Sequence, residues 1–315
     1  MKGLTDIAGV RVGHASNFDA ITGCTAILFD GGAIGGVDIR GSATGSSELD
    51  VLSPGHITDR VHAVVLSGGS AFGLEAAAGV RRYLERHGVG FETGAARVPI
   101  VPCAILYDLA IGSAKIRPDR EMGEAAAAAA TADPVLEGSI GAGTGATIGK
   151  LFGMPRAMKG GVGSFTVSAG GALVSALAVV NAVGDVRDPA TGKTVAGARV
   201  SASSRELANS EAALRGGQIK AGFPGRHNTT LVVVATNARL SKVGAAKLAQ
   251  FGSLGTARTI YPVNTLMDGD ITFAFSCGTQ SADLNVLGSA AAEAVSQAIL
   301  RAARAAKGLG GVPGM

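Results

Sequence analysis

The sequence predicts an α+β domain in which stacked β-sheets are covered by helices. Apolar runs rich in β-branched residues, such as Leu231-Val232-Val233-Val234, recur along the chain and read as buried strands. Ala-rich segments at 121–132 and 284–307 read as helices by propensity. The strands outnumber these long helices, and the helices are inserted between strand pairs, an arrangement that favours sheets packed under helices.

The first strand is expected at 7–14, where Ile7-Ala8-Gly9-Val10-Arg11-Val12 alternates before a turn. A second spans 22–29 and is ended by Asp30-Gly31-Gly32; a third follows at 33–40. Residues 41–60 are polar and irregular, with a short helical turn near Glu48–Leu52. A buried strand at 62–66 runs into Ser67-Gly68-Gly69-Ser70, and a helix follows to about His87, with Gly88 suited to the position after its end. Such a strand-to-helix turn presents backbone N–H groups to an anion, or simply packs a helix start against the sheet. A strand at 98–106 ends in Tyr107-Asp108-Leu109.

Gly141-Ala142-Gly143-Thr144-Gly145-Ala146-Thr147-Ile148-Gly149-Lys150 invites two misreadings. A phosphate-binding P-loop needs Gly where Thr144 stands and Ser or Thr where Leu151 stands, and a dinucleotide fingerprint lacks its preceding strand and acidic partner. Neither is accepted, and no cofactor is predicted. Strands at 160–167 and 172–180 form a β-meander ended by Asn181, with a clear turn at Asp188–Gly192. Residues 201–224 are polar and aperiodic, with one modest helix near 205–214. A helix is expected at 241–250 with Ser241 as N-cap, irregular chain at 251–260, a strand after Asp268-Gly269-Asp270, and a long helix at 284–307 before a frayed tail.

Composition excludes several classes. The 315-residue length allows one large domain or two ordinary ones, no tandem repeat is found, and a single domain is expected. The 48 glycines, far above the usual ~7%, lack a collagen period and suit tight turns and close backbone approach. A net charge of +4 with no basic, aromatic-interleaved block argues against nucleic acid. No apolar run reaches the ~18 residues of a membrane span, and no leader-like segment opens the chain. Cys24, Cys103 and Cys277 are isolated, without metal-ligand spacing. Together these predict a cytoplasmic protein without metal, nucleic-acid or membrane partners.

The stretch Arg226-His227-Asn228-Thr229-Thr230-Leu231 turns from polar to apolar, so Asn228 and Thr229 stand at the mouth of a core strand. Read alone, Thr229 is a β-former, His227 a turn residue, Tyr107 a rim aromatic, Lys150 a solvated loop lysine, Asn181 a turn former and Asp268-Gly269-Asp270 turn chemistry. Taken together, Asn228-Thr229-Thr230-Leu231, Asp268-Gly269-Asp270, the opening Gly9-Val10-Arg11-Val12-Gly13-His14 and Ser67–Ala78 resemble the self-cleaving L-aminopeptidase/D-esterase family. That family includes the β-peptidyl aminopeptidases and the nylon-oligomer endo-hydrolases.

The resemblance spans most of the chain and implies an αββα sandwich of the N-terminal-nucleophile-hydrolase type. It implies self-cleavage between Asn228 and Thr229, leaving chains 1–228 and 229–315. The freed α-amine of Thr229 then serves as base for its own hydroxyl, so no catalytic His is required; none of the five His sits in a triad motif. By the same resemblance Asn181 donates to the oxyanion, Lys150 belongs to the active site, Tyr107 lines it, and Ser67, Gly68, Gly69 and Ser70 form a pocket wall. In the precursor Thr229 lacks a free amine, and Asp268 and Asp270 would supply the proton acceptor. The implied substrate is a small peptide or amide, and the implied assembly a homo-oligomer, often a tetramer. Thr229 with Asp268-x-Asp270 matches the nylon-oligomer branch, whereas several aminopeptidases of the family have Ser and Ser-x-Glu. A related acyltransferase of the ornithine acetyltransferase type and a non-catalytic relative are the alternatives.

Overall fold

Alternation along the strands builds the core on both of their faces. The computed structural model describes residues 2–218 and 228–315; His227 and the end of the polar stretch before Asn228 lie outside the described residues. In the strand Thr229–Ala238, Val232 and Val234 face one hydrophobic cluster, while Leu231, Val233 and Ala235 face another. This is the period of two expected of a strand buried on both sides.

Among the described residues, the nine-stranded main sheet contains β1 (Val10–Asn17), β2 (Thr22–Ile39), β3 (Gly45–Ser47), β4 (Val61–Ser67), β5 (Cys103–Ile105), β6 (Val162–Ala169), β7 (Ala172–Asn181), β8 (Thr229–Ala238) and β9 (Ile271–Gln280). Its order is β6-β7-β8-β9-β2-β4-β5-β3, with β1 also on β2. Strand β2 joins two halves: residues 22–29 are flanked by β1 and β4, and residues 34–39 pair with β9. The register shifts between Leu28 and Ala33, where Gly32 has φ +65°, a conformation open to glycine without strain. Two strands separated by a turn were expected here. The structure instead has one strand, and the Asp-Gly-Gly signal marks a bulge.

Helices α1 (Ala76–Arg86) and α2 (Arg120–Ala128) cover the β1–β2–β4 half. After the short α3 (Ser210–Arg215), α4 (Lys242–Thr259) and α5 (Leu284–Ala305) cover the β6–β9 half. A third cluster lies between the sheets, with Ile27, Phe29 and Leu66 from one and Leu177, Leu231 and Phe273 from the other. The layers are therefore helix, sheet, sheet, helix, the αββα sandwich.

Three further boundaries differ from expectation. Helix α4 runs through Gly252 and Gly255 to Thr259. A Cβ on Gly255 would lie 2.4 Å from the Ala292 carbonyl of α5, so this glycine serves the helix contact rather than ending the helix. The expected strand at 98–106 shrinks to Cys103–Ile105, because Pro99 and Pro102 remove ladder donors. The C-terminal tail is not frayed: Leu309 and Val312 bond to each other, and the Pro313 carbonyl accepts from Lys159 N at 2.8 Å. Ahead of α3, the buried Asp185 carboxylate accepts from Ala198 N, Ser210 N and Ser210 Oγ, which ties down the segment leading toward Asn228.

Candidate active site

Three strand ends meet at one edge of the β6–β9 sheet. Asn181 is the last residue of β7, Thr229 the first of β8, and the two are register partners of an antiparallel pair. Strand β9 runs parallel to β8, so the Asp268-Gly269-Asp270 turn that feeds it enters from the same edge. Asn228 and Asp268 form a bridge there.

The Asn228–Thr229 peptide is buried: Asn228 is 1% and Thr229 5% exposed. Thr229 Oγ1 donates to the Asn228 carbonyl oxygen at 2.5 Å. The same oxygen accepts from Gly269 N at 2.7 Å. A Cβ on Gly269 would stand 2.8 Å from Thr229 Oγ1 and 2.9 Å from the Ala43 carbonyl, so this close approach requires glycine. The two carboxylates flank the position. Asp270 accepts from Thr230 N at 2.6 Å and from Asn264 N at 3.1 Å; Asp268 Oδ2 accepts from Thr265 N and Oγ1 at 2.8 and 2.7 Å.

Lys150 is only 4% exposed; the solvated-lysine reading does not hold. Gly149, at φ +75° and packed against Gly197 and Ala198, turns the chain inward. Lys150 Nζ then donates to Asn181 O at 2.8 Å and to Asn181 Oδ1 at 2.7 Å. Thr147 N and Oγ1 also donate to Oδ1, at 2.9 and 3.3 Å, and Asn181 Nδ2 donates to the Tyr107 carbonyl at 3.1 Å. Donors on one end and an acceptor on the other fix the amide orientation. The Tyr107 bond uses one of the two Nδ2 hydrogens, and the second can serve a reacting oxygen.

The Ser67–Ser70 bend lies beside this cluster rather than presenting its amides to it. Gly68 N donates to Gly23 O, Gly69 N to Asp108 Oδ1 and Ser70 N to Leu106 O. All three donors are used inside the protein, and the bend acts as a bracket for the Leu106–Asp108 segment that carries Tyr107.

Burial dominates the electrostatics. It lowers Lys150 to about 7, opposed by the nearby Asp268 carboxylate. Burial, then repulsion from Asp268, raises Asp270 to about 7. Burial also raises Asp268, opposed by its Thr265 bonds and by Lys150. Burial thus brings Lys150 and Asp270 toward neutrality from opposite sides, the range in which acid–base catalysis is most effective. By contrast, His14 is held neutral by burial, down to about 4, and His62 Nδ1 accepts from Ile100 N; both belong to the packing. Sequence reasoning missed Gly269 N–H, Thr147 and the buried pair Asp108 and Lys159. Of these, only Gly269 had a signal, its place between the two aspartates.

Comparison with known proteins gives the family and the fold. The model of peptidase family S58 matches residues 2–315. An uncharacterised aminopeptidase of Mycobacterium leprae is 37% identical over 344 aligned residues, covering 99% of this chain and 93% of that protein. A 6-aminohexanoate-oligomer endohydrolase of Kocuria sp. is 33% identical, covering 95% of this chain and 85% of that protein. Among solved structures, the L-aminopeptidase D-Ala-esterase/amidase of Ochrobactrum anthropi, described as a variant of the Ntn hydrolase fold, superposes with a TM-score of 0.71 at 21% identity, covering 99% of this chain and 88% of that one. The β-aminopeptidase of Burkholderia sp. superposes with a TM-score of 0.67 at 24% identity, covering 99% and 90%.

Proposed function

The chain belongs to peptidase family S58 and is a peptidase or amidohydrolase, and from that premise we propose that it activates itself by cutting before Thr229 and then hydrolyses amides with the residue it has freed. The observation that carries this is the scissile carbonyl itself: the Asn228 oxygen is held by both Thr229 Oγ1 and Gly269 N inside a buried site. A peptide bond so buried is out of reach of another protease, which favours attack from within.

In the precursor, Thr229 Oγ1 attacks the Asn228 carbonyl carbon while the Asp268–Asp270 pair takes the hydroxyl proton. The oxyanion develops on the oxygen that Gly269 N–H already faces. The C–N bond breaks, the nitrogen gains a proton and leaves as the Thr229 amine, and Asn228 is carried as an ester on Oγ1. Water hydrolyses that ester, giving a carboxylate on Asn228 and restoring the hydroxyl. In turnover the new α-amine takes the hydroxyl proton as Thr229 Oγ1 attacks the substrate carbonyl, and the second N–H of Asn181 Nδ2 stabilises the oxyanion. The C–N bond then breaks, the leaving amine takes the proton from the α-ammonium, and water hydrolyses the acyl ester, releasing the acid and restoring the hydroxyl. Lys150 holds Asn181 in place.

The substrate is a peptide or small amide. Thr229 together with Asp268-x-Asp270 also supports a second substrate class, internal amides of linear oligomers such as those of 6-aminohexanoate. Hydrolysis of aminoacyl anilides and of such oligomers, compared on one preparation, decides between them. The processed protomers are further proposed to form a homo-oligomer.

Intact mass under denaturing conditions is the direct test. Fragments 1–228 and 229–315 are expected from the wild type, and uncut, inactive chain from Thr229→Ala. Full-length wild-type chain after long incubation at neutral pH would rule the proposal out.

A further inference from the structure

Two buried ionisable side chains have no part in the chemistry above. Asp108 is 4% and Lys159 1% exposed. Asp108 follows Tyr107 in the chain. Its Oδ2 accepts from Thr22 Oγ1 and its Oδ1 from Gly69 N, both at 2.7 Å. Glycines make room for it on two sides: a Cβ on Gly68 would lie 2.1 Å from Asp108 Oδ2, and one on Gly145 2.4 Å from Asp108 Cβ. The carboxylate is thus wedged between the Ser67–Ser70 bend and the loop around Gly145.

Lys159 approaches that same loop from the other side. It lies on the short strand Met158–Lys159, which pairs with Thr147–Ile148. Its Nζ donates to Thr144 O at 2.9 Å and to Ala146 O at 2.5 Å. Burial lowers Lys159 to about 7 and raises Asp108, and the attraction between the two opposes both shifts. Burying such charges carries a desolvation cost that their hydrogen bonds must offset.

What they hold is Asn181. Its Oδ1 is fixed by Thr147, the residue after Ala146, and its Nδ2 by the carbonyl of Tyr107, the residue before Asp108. Each end of the reactive amide is therefore gripped by a residue whose chain neighbour is pinned by one of these two charges.

We propose that Asp108 and Lys159 form a positioning pair that sets the Asn181 amide against Thr229 during turnover. The proposal rests on the role given to Asn181 above. Its signature is a loss of rate that exists only while Asn181 is present.

The test uses processed enzyme, with the cut fraction quantified by mass and the fold checked by near-ultraviolet circular dichroism. Asp108→Asn, Lys159→Met, Asn181→Ala and the Asp108→Asn/Asn181→Ala double variant are compared on an aminoacyl anilide or amide that the wild type hydrolyses. Each of the first two should lower kcat per cut site by roughly tenfold or more with KM within about threefold, as expected when only transition-state contacts suffer. In the Asn181→Ala background, Asp108→Asn should lower kcat by less than about twofold, the non-additivity of groups acting as one unit. Thr22→Val, which removes one bond to Asp108, should show the same pattern more weakly and serves if Asp108→Asn does not fold. Fully multiplicative losses in the double variant, or losses no larger than the loss of folded protein, would overturn the proposal. Wild-type kcat in Asn181→Ala would instead show that the underlying oxyanion assignment is wrong, and the positioning role with it.

Discussion

Asn181 and Thr229 face each other across the end of an antiparallel strand pair. Residues opposed in this way have Cα atoms about 4.5–5.5 Å apart. The nucleophile and the amide proposed to stabilise its oxyanion are thus fixed by sheet register rather than by a flexible loop. The carbonyl that Thr229 would attack in the precursor is held separately, by Gly269 N. On the proposed mechanism one hydroxyl would serve two oxyanion sites, one for processing and one for turnover, and substitutions should separate them.

The first prediction concerns Asn181→Ala. Loss of a preorganised oxyanion donor lowers kcat by about 10²–10³, and that range is expected for amide hydrolysis. Processing should slow by less than about tenfold, because the Gly269 donor is untouched. The check is a time course of chain splitting beside steady-state hydrolysis. Equal losses in both steps would show that one donor serves both.

Gly269→Ala should reverse that pattern. The new Cβ meets Thr229 Oγ1 and the Ala43 carbonyl, and backbone that close must shift. Processing is expected to slow by roughly tenfold or more, since displacing one donor from a developing oxyanion costs at least that. Any molecules that do split should lose less in turnover than in processing, because their Asn181 donor is intact and only the crowding of Thr229 Oγ1 remains. Gel densitometry of freshly synthesised chain provides the rate.

Much of this site was legible in the sequence. The change from polar to β-branched residues at Asn228-Thr229 placed Thr229 at a strand mouth, and Asn181 stood at the end of an apolar run. Asp268-Gly269-Asp270 read alone as a turn, and only the family resemblance lent the two aspartates a shared role; the structure puts both at that edge. Lys159 was not legible. In Met158-Lys159-Gly160-Gly161 a lysine looks like a loop residue, and only the tertiary packing buries it. The Gly141–Lys150 run was recognised as neither a phosphate nor a dinucleotide loop. Its positive use, turning Lys150 inward at Gly149 and seating Asp108 against Gly145, depends on contacts with distant segments. Helix α4 was cut short for the same reason: Gly252 and Gly255 weaken local propensity but permit the contact with α5.

Processing should depend on pH through Asp270. Burial, then the Asp268 charge, raises this carboxyl to about 7. If the pair must be ionised to take the Thr229 proton, the cleavage rate falls about tenfold per pH unit below that value and levels off above it. Asp270→Asn removes the group, so the inflection near neutrality should vanish and cleavage slow by about 10²-fold or more. Precursor made by cell-free synthesis at low pH, then shifted to buffers between about pH 5.5 and 8.5 to span the carboxyl's range, reports the rate directly. A wild-type profile flat across that span would exclude the carboxylate as the base.

The last prediction concerns the cost of burying Lys150. Its folded-state pKa is lowered from 10.5 to about 7, chiefly by burial. Below about 7 the folded and unfolded chains both hold the proton, and the fold carries the full cost of a buried ammonium. Between about 7 and 10.5 the unfolded chain holds more protons, so this group's contribution to stability rises with pH. Above that window both states are neutral and the cost is gone. Lys150→Met has no such dependence. It gives up the bonds to Asn181 O and Oδ1, so amide hydrolysis should fall by roughly tenfold or more. Its melting temperature relative to wild type should be most favourable near pH 7 and decline steadily toward pH 10, as about 1.4 kcal/mol per pKa unit returns to the wild type. The comparison starts at pH 7 because removing the ammonium also lets the Asp268 pKa rise further, which acts at lower pH. Melting curves for both proteins at half-unit steps across the window measure the slope. A difference independent of pH would mean that Lys150 is not buried as the structure shows, and its hold on Asn181 would then need another explanation.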